Sequence, residues 1–369
     1  MRIAIMGSRG IPNQYGGFEQ FAAHAAPALV NKGHEVYAYN SSMHPYKEKT
    51  WKNVHIIHCY DPEEKIGTAG QFIYDLNCIL DSRKRNYDVI LQLGYTSNSV
   101  WSFLYPKKSV LVTNMDGLEW KRSKYSGKVQ RFLLKAEKWA VRHSDHLIAD
   151  SKGIQQYLQI KYNKSSEFIA YGATLIDVPG HSFLREKKLD PFGYNLVLAR
   201  MEPENNIEPI IIAHLKAGTE KPLIIIGAYS NKFGAYLHTN YASEKIQFWG
   251  AVYDIDLLNC LRYYAYLYFH GHSVGGTNPS LLEAMASYAL IAAHDNVFNR
   301  TILESDAFYF SSSEEIAELL KTNISRESYQ YILTNNANKI KYQYSWDNII
   351  NQLEKFLTHA VAKSIKHRK

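Results

Sequence analysis

The sequence predicts a doubly wound α/β protein built from two similar halves. Three observations carry this. Apolar runs such as RIAIM, YDVILQL and KPLIII are continuous rather than alternating, as strands buried on both faces require. Strand-like and helix-like stretches take turns along the chain, the βαβα rhythm of a parallel sheet covered by helices. The rhythm then stops in a charged stretch with two prolines, PGHSFLREKKLDPFGY, and restarts, which places a linker near residues 178–193.

In the first half, RIAIMG is a strand and FEQFAAHAAPALVNKG an amphipathic helix ending at Gly33, a residue favoured just past a helix end. HEVYAYN, NVHIIHCY, YDVILQLG, SVLVTNMDG and DHLIADS read as five more strands, and residues 127–143 as a helix. In the second half NLVLAR, KPLIIIG, KIQFWG, AYLYFHG and ALIAAHD are strands. NIEPIIIAHLKAG, DIDLLNCLRYY, NPSLLEAMASY and SEEIAELLKTN are the helices among them. The expected division is a domain over residues 1–178, a second over 192–344, and a final helix with a basic tail over 345–369 that crosses back to the first. A ligand cleft between the two domains is the expectation.

A chain of 369 residues is ample for two domains, and 46% hydrophobic with 21% charged residues is ordinary globular composition. Cys59, Cys78 and Cys260 form no CxxC pair. A disulfide framework and a zinc ribbon are therefore not expected, and a reducing cytosol fits. Met1-Arg2 leads straight into a strand, without a secretory signal pattern, and no apolar run nears the roughly 20 residues that span a bilayer. The formal net charge of +7 admits an anionic partner such as nucleic acid, a sugar nucleotide or a membrane surface.

The loop after the first strand, GSRGIPNQYGGFEQF, lies where open α/β sheets bind ligands, beyond a strand's carboxyl end and before a helix. It lacks the GxGxxG spacing of a dinucleotide loop, and no Lys-Ser or Lys-Thr follows as in a P-loop. Gly16 and Gly17 precede the helix, where backbone can approach a ligand closely, and they also suit a plain turn.

The second half adds three stretches: LARMEPENNIEPII with Arg200 at a strand end, KIQFWGAVYDIDLLNCLRYY, and GHSVGGTNPSLLEAMASYALIAAHD. Together these resemble the retaining GT-B glycosyltransferases of family 4, which carry an arginine after the first strand of the second domain. They also carry an F-x-G-x-V loop and a glycine-rich loop leading into a glutamate-bearing helix. The resemblance implies two Rossmann-like domains. It also implies donor binding by Arg200, Gly250, Val252, Gly276, Thr277, Asn278, Ser280 and Glu283, with Gly16 and Gly17 on the opposite wall. The chemistry agrees. A nucleoside diphosphate leaving group develops negative charge, which an arginine fork and the amides at a helix start can meet. Glu283 suits sugar or ribose hydroxyls.

Two departures stand out. Asn205 occupies the position of a family lysine five residues after the arginine, and Gly275 that of a first glutamate eight residues before Glu283. The family's first glutamate contacts hydroxyls of the donor sugar, so its loss points to a donor with a different hydroxyl pattern. GSRGIPNQYGGFEQFA, TNMDGLEWKRSKY and ADSKGI resemble the subgroup that includes bacterial β-1,4-rhamnosyltransferases of cell-wall and capsular polysaccharide assembly. That resemblance implies dTDP-β-L-rhamnose as donor and N-acetylglucosamine or glucose on undecaprenyl diphosphate as acceptor. It implies retention of configuration without a covalent enzyme intermediate, and neither metal nor other cofactor. Other UDP- or GDP-sugar transferases of the family, and a sugar-nucleotide-binding protein without activity, stay open. No Asp-x-Asp in a suitable loop and no His/Cys set of ligand spacing argues for a metal.

Asp116 in TNMDGLEW and Asp150 in ADS each end a strand, and Tyr171 follows the next apolar run. The two carboxylates suit an acceptor hydroxyl, by binding it or taking its proton, and the three are the candidate catalytic residues. Asp116 before a glycine also fits a turn, and Asp150 a helix cap. Glu19, Glu119 and Arg122 are the candidates for acceptor binding.

Lys128, Arg131, Lys135, Lys138 and Arg142 recur at spacings of three and four, so they form one basic stripe on a helix, flanked by Phe132, Leu133 and Trp139. The stripe suits either a solvated face or an anionic bilayer. With no nucleic-acid recognition module beside it, the expected location is the cytoplasm, on the inner face of the cell membrane. An oligomer is compatible with the sequence.

Overall fold

The computed structural model describes residues 1–14, 16–122, 124–180 and 182–364 in full and 365–368 as helix backbone. The chain forms two compact units. The first comprises Met1–Lys121, Tyr125–Tyr171 and Trp346–Lys369, and the second Arg122–Lys124 and Gly172–Ser345.

The first unit is an eight-stranded sheet. Its strands are β1 (Arg2–Met6), β2 (Glu35–Ser41), β3 (Thr50–Trp51), β4 (Val54–Cys59), β5 (Val89–Leu93), β6 (Val110–Asn114), β7 (His146–Ala149) and β8 (Glu167–Phe168). Their spatial order is β3-β4-β2-β1-β5-β6-β7-β8, parallel except for β3 against β4. Ile3 pairs with Val36 on one side and Val89 on the other, and all three are fully buried. Each such side chain contributes about 1.5–3 kcal/mol by leaving water. Chain order reverses between β1 and β5, which makes the carboxyl ends of these two strands the favoured ligand position in this sheet.

The second unit has β9 (Asn195–Leu198), β10 (Leu223–Ile226), β11 (Ile246–Gly250), β12 (Tyr268–His270), β13 (Ile291–His294) and β14 (Phe308–Phe310). The order is β11-β10-β9-β12-β13-β14, all parallel, with the reversal between β9 and β12.

The charged stretch, the unit boundary and the Gly70–Ser82 helix differ from the sequence reading. The charged stretch near 178–193 is packed within the second unit. It includes a short helix, Ser182–Glu186, with Leu184 buried, and the Tyr264 hydroxyl donates to the Pro179 carbonyl at 2.7 Å. The units divide at Tyr171–Gly172. The Gly70–Ser82 helix gives little signal, because it starts without a side-chain cap and is rich in poor helix formers. It forms because Tyr74, Cys78 and Ile79 pack into the core with Tyr39 and Ile90. The final helix, Trp346–Arg368, belongs to the first unit. Trp346 stacks on His24 at 4.1 Å, Lys32 donates to Asn351 at 2.6 Å, and Leu353 and Leu357 are fully buried. No described helix is long and apolar enough to cross a membrane.

The Gly70–Ser82 helix also buries Asp75, which accepts a hydrogen bond from the Ser97 hydroxyl. Burial pushes its carboxyl up to about 7, against the pull of Ser97 and Arg9. Between the ordinary value near 4 and 7, the folded chain therefore holds a proton that the unfolded chain releases. This stabilisation is full below about pH 4 and is lost as pH rises through 7, up to about 4 kcal/mol in all. Asp75→Asn is expected to gain on the wild type in urea-unfolding midpoint as pH rises from 5 to 8.

Candidate functional site

In the first unit the opening loop is held rigidly at the β1–β5 reversal. Gly7 has φ +87°, and a Cβ there would lie 2.0 Å from the Leu93 carbonyl oxygen. The Asn40 side chain accepts the Ile11 N–H at 3.0 Å and donates to the Ile11 carbonyl at 2.7 Å. Glu19, at the start of the Gly17–Asn31 helix, accepts the Arg9 N–H at 2.6 Å. The amides of Arg9 and Ile11 are thus spent on protein acceptors. Glu19 is buried, and burial pushes its carboxyl up, against the Arg9 amide and guanidinium. A Cβ on Gly16 would stand 2.1 Å from a Glu19 carboxylate oxygen, and one on Gly17 would stand 3.3 Å from the Tyr171 hydroxyl. Backbone close to a carboxylate and a phenol suits a neutral hydroxyl better than a phosphate.

Tyr171 gathers the carboxylates of this unit. It is buried, edge-on to Phe21 at 5.9 Å, and its phenol is held well above the ordinary range. Burial is the main cause, followed by the charges of Asp116, Asp150, Glu19 and Glu119. Asp116 sits just past β6 with φ +45°, a strained conformation for a non-glycine residue, and its N–H donates to the Asn114 side chain at 3.1 Å. Asp150 ends β7 and is buried, while the next residue, Ser151, caps the Lys152–Tyr162 helix through the Ile154 N–H. Asp116, Asp150, Tyr171, Glu19 and Glu119 therefore share one electrostatic neighbourhood. Arg122 groups with the second unit.

The turn carrying Glu119 is anchored by a residue that sequence reasoning missed. Glu137, on the buried face of the Gly127–His143 helix, accepts from Trp120 Nε1 at 3.1 Å, Tyr157 at 2.7 Å, Tyr162 at 2.6 Å and Lys161 at 3.0 Å. One acid inside a basic helix gives no signal of this. On the same helix Lys128, Arg131, Lys135, Lys138 and Arg142 are all exposed, with Phe132 and Trp139 half-buried beside them.

In the second unit Arg200 follows β9 and is exposed. Asn205 does not point outward in place of a lysine. It is buried, and its side chain donates to the Arg200 carbonyl at 2.8 Å, bracing the arginine's backbone. Asn278 caps the Pro279–Ala286 helix by accepting the Ser280 N–H at 2.9 Å, and Thr277 is buried beneath the turn. The Ser280 hydroxyl pairs with Tyr268 at 2.8 Å. Glu283 is ion-paired with Arg262, whose side chain is only 1% exposed. Gly276 is half-buried in the loop before Thr277. Gly250 has φ +74°, and its carbonyl accepts from the Gly227 N–H at 2.8 Å; Val252, two residues on, is half-buried. This unit therefore sets an arginine fork and a helix start near one strand reversal, a combination suited to a diphosphate. Among the described residues no group of His, Cys, Asp and Glu could hold a metal ion.

Residues 1–174 match a family described as a domain of unknown function, DUF1972. A search of curated proteins returns no match. Among solved structures, the chain is similar to a sucrose-phosphate synthase from Thermosynechococcus elongatus, with a TM-score of 0.82, 15% identity and coverage of 98% of this chain and 99% of that one. It is also similar to HepE from Anabaena in complex with UDP-glucose, with a TM-score of 0.74, 15% identity and coverage of 97% and 99%. A third similar structure is a glycosyltransferase from Rickettsia africae, with a TM-score of 0.71, 13% identity and coverage of 98% of both chains. Two parallel α/β sheets and near-complete coverage of these structures give the chain the GT-B fold.

Proposed function

We propose that the chain is a glycosyltransferase that moves a sugar from a nucleoside diphosphate to a hydroxyl of an acceptor. The observation that carries this is the second unit's strand reversal, where Arg200, braced by Asn205, stands with the Asn278-capped helix start. Arg200 and the amides of the Gly275–Asn278 loop, aided by the dipole of the helix they lead into, would meet the charge that develops on the departing diphosphate. That charge is then balanced without a metal or other cofactor. Glu283, oriented by Arg262, would take donor hydroxyls. In the first unit, Asp116 or Asp150 would accept the proton of the attacking hydroxyl, with Gly16, Gly17 and Tyr171 shaping its seat.

The finer reading rests on the resemblance of the first unit's motifs. The donor is dTDP-β-L-rhamnose, the acceptor is N-acetylglucosamine or glucose on undecaprenyl diphosphate, and the β-1,4 transfer proceeds with retention. HepE in complex with UDP-glucose favours a second reading, a UDP-sugar donor. The test incubates the full chain with dTDP-rhamnose, UDP-glucose, UDP-N-acetylglucosamine and GDP-mannose, each with both lipid-linked acceptors, and reads linkage and anomeric configuration by NMR. Transfer from dTDP-rhamnose alone supports the finer reading, and transfer from a UDP-sugar replaces it. Nucleotide binding without transfer to either acceptor contradicts the enzyme.

A lipid-linked acceptor calls for a bilayer partner, and the exposed stripe on the Gly127–His143 helix would supply it. Replacing Lys128, Arg131, Lys135 and Lys138 with glutamine is expected to abolish sedimentation with phosphatidylglycerol vesicles at moderate salt. Unchanged sedimentation removes the membrane proposal.

A further inference from the structure

Two histidines at the end of β12 take no part in the scheme above. His270 is fully buried, and neither of its ring nitrogens has a partner among the described residues. His272 stacks on it, with ring centroids 4.3 Å apart and planes 15° from parallel. Its Nδ1 is likewise buried without a partner among the described residues. Each unmade hydrogen bond costs about 1–3 kcal/mol, so stacked rings with orphaned nitrogens at one strand end call for a reason beyond packing.

Their position supplies one. β12 lies beside β9 at the reversal of chain order, where open α/β sheets bind ligands. Gly271, between the two histidines, lets the strand end close onto the turn that follows Arg200. A Cβ on it would stand 2.1 Å from the Asn205 carbonyl oxygen, and Asn206 donates to the Gly271 carbonyl at 2.7 Å.

The geometry points to His272 as a second ligand for the donor diphosphate, beside Arg200, taking up a proton from solvent as the diphosphate binds and returning it when the product leaves. The inference rests on the reading of this unit as the donor site. In the free protein burial, then the positive charges of Arg200 and Arg122, push His272 down to about 3, so the ring is neutral. The other groups around it do not supply the missing proton. His270 is held neutral by burial and by His272, and His294, at the end of β13, is lowered by burial against the pull of Asp295. Glu204, on the 203–205 turn, lends its main-chain carbonyl to Ser273. An arriving diphosphate cancels the arginine field and offers acceptor oxygens, and both changes favour the imidazolium. Because binding raises the ring's proton affinity, diphosphate affinity falls as pH rises, by at most about tenfold per pH unit for one linked proton.

The test is isothermal titration of the full chain with UDP and with dTDP at pH 6 and pH 8, in buffers of low and high ionisation enthalpy. The nucleotide's own phosphate protons enter equally for wild type and variants, so the differences report the protein. The wild type is expected to take up protons that His272→Asn does not, and to lose several-fold more affinity than the variant between the two pH values. His272→Lys, a fixed cation, is expected to bind well at both. An equal proton count and pH slope in wild type and a folded His272→Asn overturn the inference, as does a wild-type slope in His272→Lys, the deciding variant if the asparagine form does not fold. If the wild type binds neither nucleotide, the donor-site reading falls first and this inference with it.

Discussion

Arg200→Ala is expected to lower kcat/KM for sugar transfer by about 10²–10³-fold while leaving the thermal unfolding temperature unchanged. Arg200 is exposed, so its side chain carries little of the fold, and its backbone is held by the Asn205 side chain, which the substitution leaves in place. On the proposed function, what is lost is a planar fork of donors for the diphosphate. Lysine restores the charge but not the paired geometry, so Arg200→Lys should recover only part of the rate. Initial rates at varied donor concentration check this. A variant that keeps most of its rate would move the diphosphate away from Arg200.

Glu283→Gln is expected to destabilise the second unit by about 3–5 kcal/mol, the usual cost of breaking a buried ion pair from one side. The Arg262 side chain is 1% exposed and that of Glu283 22%, so the guanidinium would be left with an uncompensated charge in the core. Arg262 Nε already lacks a partner among the described residues, which leaves little reserve. The paired variant Arg262→Met with Glu283→Gln should recover much of the loss, because no charge is then stranded. Urea unfolding of both variants decides it. If the double variant falls further than Glu283→Gln, the pair is not the source of the effect.

The sequence made the parallel-sheet architecture readable because strands buried on both faces must be apolar throughout, as RIAIM and LIII are. It hid the Gly70–Ser82 helix, which forms by tertiary packing of Tyr74, Cys78 and Ile79 rather than by propensity or capping. At the candidate site, Arg200, Asn278 and Ser280 stood out because a strand end and a glycine-rich helix start are local signals. Arg262 did not, because its partner Glu283 is remote in sequence; the inward turn of Asn205 did not, because a side chain bonded to the Arg200 carbonyl leaves no trace in the residue pattern; and His272 did not, because the burial of its ring depends on the fold. The opening glycine loop was ambiguous for a similar reason. Its backbone amides look available until Asn40 and Glu19 are seen to occupy them.

The proposed function seats the nucleoside diphosphate at the second-unit turn and not on that opening loop. A crystal structure of the full chain with dTDP or UDP tests this most directly. Diphosphate oxygens are expected within hydrogen-bonding distance of the Arg200 guanidinium and of the amides of the Gly275–Asn278 loop that leads into the Pro279–Ala286 helix, with the imidazole of His272 alongside. A diphosphate seated on the Gly7–Gly10 loop, with Arg200 facing solvent, would contradict it.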